Sequence, residues 1–185
     1  MTLALEREVK LRFDSVDAAR TAIVGTEATP IRSRRLQEDY LLDEPAETLR
    51  NRRCVLRVRV EAGKNLLTFK GPVQPSQMKV REELETVVGD GETMIRCFEH
   101  LGYRVWFRYQ KYREEYALGD ATIAIDETPI GVFVEVEGSE RGVTDAAHAL
   151  GRSPNDYLID SYRGLFMEHR RARGLPATDM LFDGI

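Results

Sequence analysis

The chain has 185 residues, 42% of them hydrophobic and 31% charged, with a formal net charge of −4. That length buries one real core, and the acidic balance argues against a molecule that binds nucleic acid over its whole surface. Two cysteines, Cys54 and Cys97, stand outside any Cys-x-x-Cys motif, and no apolar stretch approaches the roughly 18 residues of a membrane span. Glu6 interrupts the N-terminal apolar stretch at once, so no targeting segment is expected, no membrane partner, and a reducing cytoplasm is the natural setting.

Leu5 to Phe13 alternates with a period of two. Glu6, Glu8, Lys10 and Arg12 share one face and Leu5, Val9, Leu11 and Phe13 the other, with Arg7 the exception. Carboxylates two residues apart on a strand lie roughly 6.5–7 Å apart at Cα. They repel unless a cation lies between them, and a hard divalent ion with oxygen ligands is the usual answer. Asp14 or Ser15 then caps a helix through about Val24, stopped by Gly25. Alternation returns from Arg35 to Asp43, followed by a turn at Glu44 to Glu47. Cys54 to Val60 puts Arg57 and Arg59 on one face, and Ala62 to Asn65 turns the chain into Leu66 to Lys70. After a Pro/Ser/Gln loop (Val73 to Met78), Val80 to Thr86 aligns Arg81, Glu83 and Glu85.

Asp90 caps a helix from Glu92 to Leu101, whose apolar residues recur at helical spacing. Trp106 to Tyr116 carries Lys111 and Arg113 on one face. Ala121 to Asp126 and Val132 to Glu137 read as the two arms of a hairpin, bringing Asp126, Glu135 and Glu137. A short helix from Asp145 to Leu150, started by Thr144, and a longer one from about Asn155 to Arg171, interrupted near Gly164, complete a single domain over residues 1–173. Residues 174–185 are expected to form an irregular or partly ordered tail.

Nearly all the polar strand positions are long and ionised, whereas one wet sheet face would scatter Thr, Ser, Gln and Asn there. An α+β fold accounts for both faces: an eight-stranded antiparallel barrel with charged faces inward and helices on its apolar outside. Unpaired buried charges cost several kcal/mol each, so the interior must hold water, metal and a polyanion. Glu-x-Glu suits Mg²⁺ or Mn²⁺; Arg-x-Arg and Lys-x-Arg suit phosphate oxygens. Together they describe phosphoryl transfer without a Walker-type glycine loop.

The order of motifs resembles the CYTH superfamily, the triphosphate tunnel metalloenzymes. Glu6-Arg7-Glu8-Val9-Lys10 is similar to its Glu-x-Glu-x-Lys signature. Arg57-Val58-Arg59, Lys70-Gly71-Pro72, Arg81-Glu82-Glu83-Leu84-Glu85, Lys111-Tyr112-Arg113, Asp126, Gly131 to Glu137 and Ser161-Tyr162 follow in the same order, over roughly residues 3–168. The resemblance implies metal ligands at Glu6, Glu8, Asp126, Glu135 and Glu137. It implies triphosphate contacts at Lys10, Arg57, Arg59, Lys70, Arg81, Lys111 and Arg113, with catalysis centred on Glu6, Glu8, Lys10 and Lys70. Glu83 and Glu85 would be supporting acids that position the bases or a second metal.

The implied activity is a metal-dependent triphosphatase acting on tripolyphosphate or a nucleoside triphosphate, or a class IV adenylyl cyclase. Asp39-Tyr40-Leu41-Leu42-Asp43 departs from the Asp-x-Tyr-Tyr-Asp of the thiamine triphosphatase branch, so thiamine triphosphate is the less expected substrate. Self-association into a homodimer stays open. The basic stretch from Arg50 to Arg81 gives the contrasting expectation, a non-catalytic binder of RNA or polyphosphate. Its bases share a face with acids and lack interleaved aromatics, which argues against that role.

Overall fold

In the computed structural model, which describes residues 5–184, the period-two stretches become eight strands. They are β1 (Leu5–Phe13), β2 (Thr29–Asp43), β3 (Val55–Glu61), β4 (Lys64–Lys70), β5 (Lys79–Val88), β6 (Arg104–Leu118), β7 (Ala121–Thr128) and β8 (Gly131–Glu137). Every pairing is antiparallel, and the order β1-β5-β4-β3-β2-β6-β7-β8 closes on itself. Met1 to Ala4 and Ile185, the two ends of the expected domain and tail, lie outside the described residues. Among the described residues no helix is long and apolar enough to cross a membrane.

The outward strand positions build the core against the helices α1 (Val16–Val24), α2 (Thr48–Asn51), α3 (Gly91–His100), α4 (Glu140–Ala149) and α5 (Tyr162–Ala172). Val9, Leu11, Ile123, Ile125, Val134 and Val136 pack beneath α1 and α4 through Ala19, Ile23, Val143, Ala146 and Ala147. Leu42 and Val58 meet Ile95 of α3. Each large side chain so buried contributes about 1.5–3 kcal/mol. At one end of the barrel the inward positions turn apolar. There Leu41, Phe107, Tyr109 and Phe133 receive Tyr162, Leu165 and Phe166 of α5 as a plug.

The caps at Ser15 and Asp90 are where the sequence puts them, accepting from the backbone of Ala18 at 3.0 Å and Thr93 at 2.6 Å. Strand β2 begins at Thr29 rather than Arg35, because Pro30 and the arginines break the alternation and the ladder to β6 shifts register there. Helix α4 starts at Glu140, not Asp145. Ser139 caps it, accepting from Gly142 N at 3.0 Å, while Thr144 donates to Glu140 O from inside the helix. The flanking glycines hid this start.

The long C-terminal helix is also shorter than expected. Pro154–Asp156 forms a single 3-10 turn, and α5 begins only at Tyr162, capped by Ser161, with Gly164 inside it. The stretch between is extended because β1 pairs with β5 only over Leu5 to Glu8, leaving the edge beyond free. Leu158 uses that edge, exchanging backbone hydrogen bonds of 2.9 and 3.0 Å with Lys10. The tail has little regular structure, yet Met180 is fully buried and bonds to the backbone of Arg108 and Gln110 on β6.

Candidate active site: an ionic tunnel

The inward strand faces enclose a cavity of about 690 Å³. Lys10 on β1 is 1% exposed, yet its ammonium lies 2.9 Å from Glu8 and 3.1 Å from Glu135, which hold it firmly protonated against the cost of burial. Glu8 also accepts from Lys79 at 2.6 Å. Burial opposes ionisation of Glu8, but Lys10 and Lys79 outweigh it and hold its carboxyl well below the usual range. Glu6 accepts from Lys70 at 2.7 Å and Arg81 Nε at 2.9 Å. Lys70 in turn reaches Glu83 at 2.7 Å, and Glu85 accepts from Thr68 at 2.9 Å beside Arg57.

The opposite wall is equally paired. Asp39 accepts from Arg59 Nε at 2.8 Å and lies 3.4 Å from Arg57. Asp126 is fully buried and accepts from Lys111 at 2.9 Å, Arg113 Nε at 2.7 Å and the Tyr162 hydroxyl at 2.6 Å. Arg113 bridges onward to Glu135. Lys10 and Lys111 also face the Tyr162 ring, 5.1 and 4.9 Å from its centroid. Burial, and then the nearby Arg113, lower the Lys111 pKa to about 8.

Two acids depart from this balance. Glu137 sits opposite Glu8 in the β1–β8 register and has no ionic partner among the described residues. Burial first, then the charge of Glu6, raises its pKa to about 7, moderated by a side chain that remains open to tunnel solvent. Burial and then Glu8 likewise raise Glu6 to about 7, despite its two cationic partners. Carboxylates whose mutual repulsion raises their pKa values are a donor set suited to a divalent oxygen-seeking ion. Among the described residues no three acids are gathered closely enough to cage one as placed. Lys10, Lys70, Lys79 and Arg81 occupy the oxygens of Glu6 and Glu8.

All the residues singled out from the sequence point into the tunnel or its wall, but they do not form one cluster. Glu6, Glu8 and Glu137 are neighbours across β1 and β8 that feel one another's charge without closing into a cage. Glu135 sits between Lys10 and Arg113, and both oxygens of Asp126 are taken by cations and Tyr162. The sequence reading passed over Asp39 and Lys79, although both fall on inward positions beside residues it named. Tyr162, named there only within the Ser161-Tyr162 match, donates its hydroxyl to Asp126. Leu41 lines the tunnel and Tyr40 points out to Glu38, so β2 offers Lys70 no tyrosine. Tyr109 faces inward from β6.

A closed antiparallel barrel whose lumen is a lattice of paired acids and bases defines a charged-tunnel protein. The chain belongs to the CYTH domain family, whose model matches residues 4–157. It is similar to "Putative adenylate cyclase MJ0240" of Methanocaldococcus jannaschii, 34% identical over 107 residues, which are 57% of this chain and 61% of that protein. The chain thus aligns with somewhat over half the length of this relative. An adenylate-cyclase-like structure from Vibrio parahaemolyticus superposes with a TM-score of 0.76 at 21% identity, over 90% of this chain and 99% of that one. A Hippeastrum protein described as a "Putative adenylyl cyclase" that reveals a dominant triphosphatase activity gives 0.64 at 18% identity, over 89% and 96%. At these identities both structures speak to the fold.

Proposed function

We propose that this protein is a divalent-metal-dependent phosphoryl-transfer enzyme, a triphosphatase that hydrolyses tripolyphosphate or a nucleoside triphosphate in the tunnel. The observation that carries this reading is the neighbouring acids Glu6, Glu8 and Glu137, of which Glu6 and Glu137 resist ionisation, in a tunnel lined with lysines and arginines. Mg²⁺ or Mn²⁺ held there would neutralise charge on the terminal phosphoryl group and acidify a water.

The chain's own residues do the rest. Lys10, Lys70 and Arg81 exchange their acid partners for phosphate oxygens, and Arg57, Arg59, Lys111 and Arg113 grip the remainder. Arg57 meets its acid partners at long range only, its Nε 3.4 Å from Asp39 and its Nη2 3.4 Å from Glu85. Asp126, with Asp39, keeps these cations oriented before the substrate arrives, a preorganisation that lowers the cost of charge development.

The second reading is an adenylyl cyclase, favoured by the name of the 34%-identical relative. Incubation with Mg²⁺ or Mn²⁺ and either tripolyphosphate or ATP separates the two. Orthophosphate without cyclic AMP supports the triphosphatase, and cyclic AMP with equal pyrophosphate replaces it by the cyclase. No product from either substrate, with metal-independent polyphosphate binding, refutes the enzyme. Glu6→Gln or Glu8→Gln should remove several kcal/mol of transition-state stabilisation, a loss of more than roughly 100-fold in turnover.

A further inference from the structure

We infer that Trp106 and Arg163, where the tunnel opens beside the α5 plug, seat the base of a nucleoside triphosphate. The inference rests on reading the tunnel as a triphosphate site and deepens it by fixing which end takes the organic group.

The plug does not seal its end of the barrel. The cavity lining runs on past Tyr162 to Val55, Val73, Trp106, Ile159 and Arg163, and Val73 and Ile159 are 44% and 46% exposed. Trp106 reaches this mouth through a β-bulge. On β2 Leu41 faces Phe107 and Leu42 faces Val105, so Trp106 is an extra residue in β6. Strict alternation would turn it away from the inward side that Phe107 takes, and a bulge re-aims such a side chain. Trp106 is half-buried, with the guanidinium carbons of Arg50 and Arg163 at 4.4 and 4.8 Å from its ring centroid.

The two arginines are not equivalent. Arg50 pairs with Glu47, whereas Arg163 has no acid and no hydrogen-bond acceptor on its guanidinium among the described residues. Burial, and then the charge of Arg50, lower its pKa. A flat heteroaromatic ring with acceptor atoms on its edge answers each feature. It lies against the indole and guanidinium planes, covers Val73 and Ile159, and accepts from the free donors of Arg163. The phosphates of the same molecule then run inward toward Lys10 and Lys111, which face the Tyr162 ring. Around the opposite mouth Arg32, Arg35, Glu61, Lys64 and Glu115 are all charged, and no exposed apolar side chain lines the cavity there.

Trp106 is the single tryptophan of the chain, so its fluorescence reads the seat directly. ATP and tripolyphosphate are titrated separately into wild type in chelator, or with Ca²⁺ if binding needs a metal, and binding is followed in parallel by calorimetry. ATP should quench the emission in step with its binding, while tripolyphosphate binds with little change. Equal quenching by both, or ATP bound without quenching, overturns the seat. A protein that binds tripolyphosphate but not ATP overturns it too and leaves the triphosphatase reading intact, whereas binding of neither removes both.

Trp106→Leu and Arg163→Leu supply the kinetic arm. In each, kcat/KM for ATP relative to tripolyphosphate should fall about tenfold, the order of effect that base stacking supplies. An unchanged ratio, including equal losses on both substrates, overturns the assignment.

Discussion

Glu6 and Glu137 have native pKa values raised from 4.5 to about 7, so between those values the folded state binds more protons than the unfolded chain. Their contribution is fully present below about pH 4.5 and is lost as pH rises through 7. Glu8 and Glu135 are shifted the other way, burial being outweighed by Lys10 and its neighbours, and their contribution is lost as pH falls below the ordinary carboxylate range. In chelator, the melting temperature should decline from pH 5 to 8, and Mg²⁺ should flatten that decline. Glu137→Gln should raise the metal-free melting temperature at pH 8 by about 2–4 °C, corresponding to roughly 1 kcal/mol, and blunt the response to Mg²⁺. A variant that melts like wild type with and without Mg²⁺ refutes the shared-site account. Tyr162→Phe keeps the ring over Lys10 and Lys111 but takes one donor from buried Asp126, for a cost of about 1.5–3 kcal/mol measurable by urea unfolding.

Turns and caps decide how the elements join. Gly138 lets β8 pass into α4 beside the β6–β7 turn, where an added Cβ would sit 2.8 Å from the backbone oxygen of Asp120. That oxygen cannot rotate away. Gly138→Ala should cost about 1–3 kcal/mol in equilibrium unfolding; an unaffected variant would mean the junction yields more easily than its packing implies. The strands were largely legible because burying one face and charging the other is a local pattern. The elements misjudged were those settled by distant partners. Leu158 is extended because β1 has a free edge at Lys10, and β2 extends through Pro30 because β6 pairs with it. The inward direction of the site residues was likewise readable from parity. Which acid meets which base was not, since strand order and barrel stagger bring Lys70 to Glu6 across 64 residues.

On the scale of the whole molecule, the tail fastens the plug. Met180 fills the apolar end among Tyr109, Tyr162 and Phe166, and the Phe182 ring packs at a tilt against Tyr112 with centroids 5.3 Å apart. Deleting residues 175–185 should remove about 1.5–3 kcal/mol for Met180 alone. The melting temperature should drop by at least roughly 3 °C. An unchanged melting temperature would mean that the plug holds without its fastening.

Strand β1 has a consequence for biosynthesis. It leaves the ribosome first, but its long ladder is to β8, with Phe13 opposite Val132. The first strand must wait for the last before the ring closes, a pairing of high sequence separation that makes closure slow. Glu8 and Glu137 meet only in that final step, so their mutual repulsion falls on the closing event itself. A divalent cation that bridged them should therefore speed ring closure, and equal refolding rates in Mg²⁺ and in chelator would overturn this.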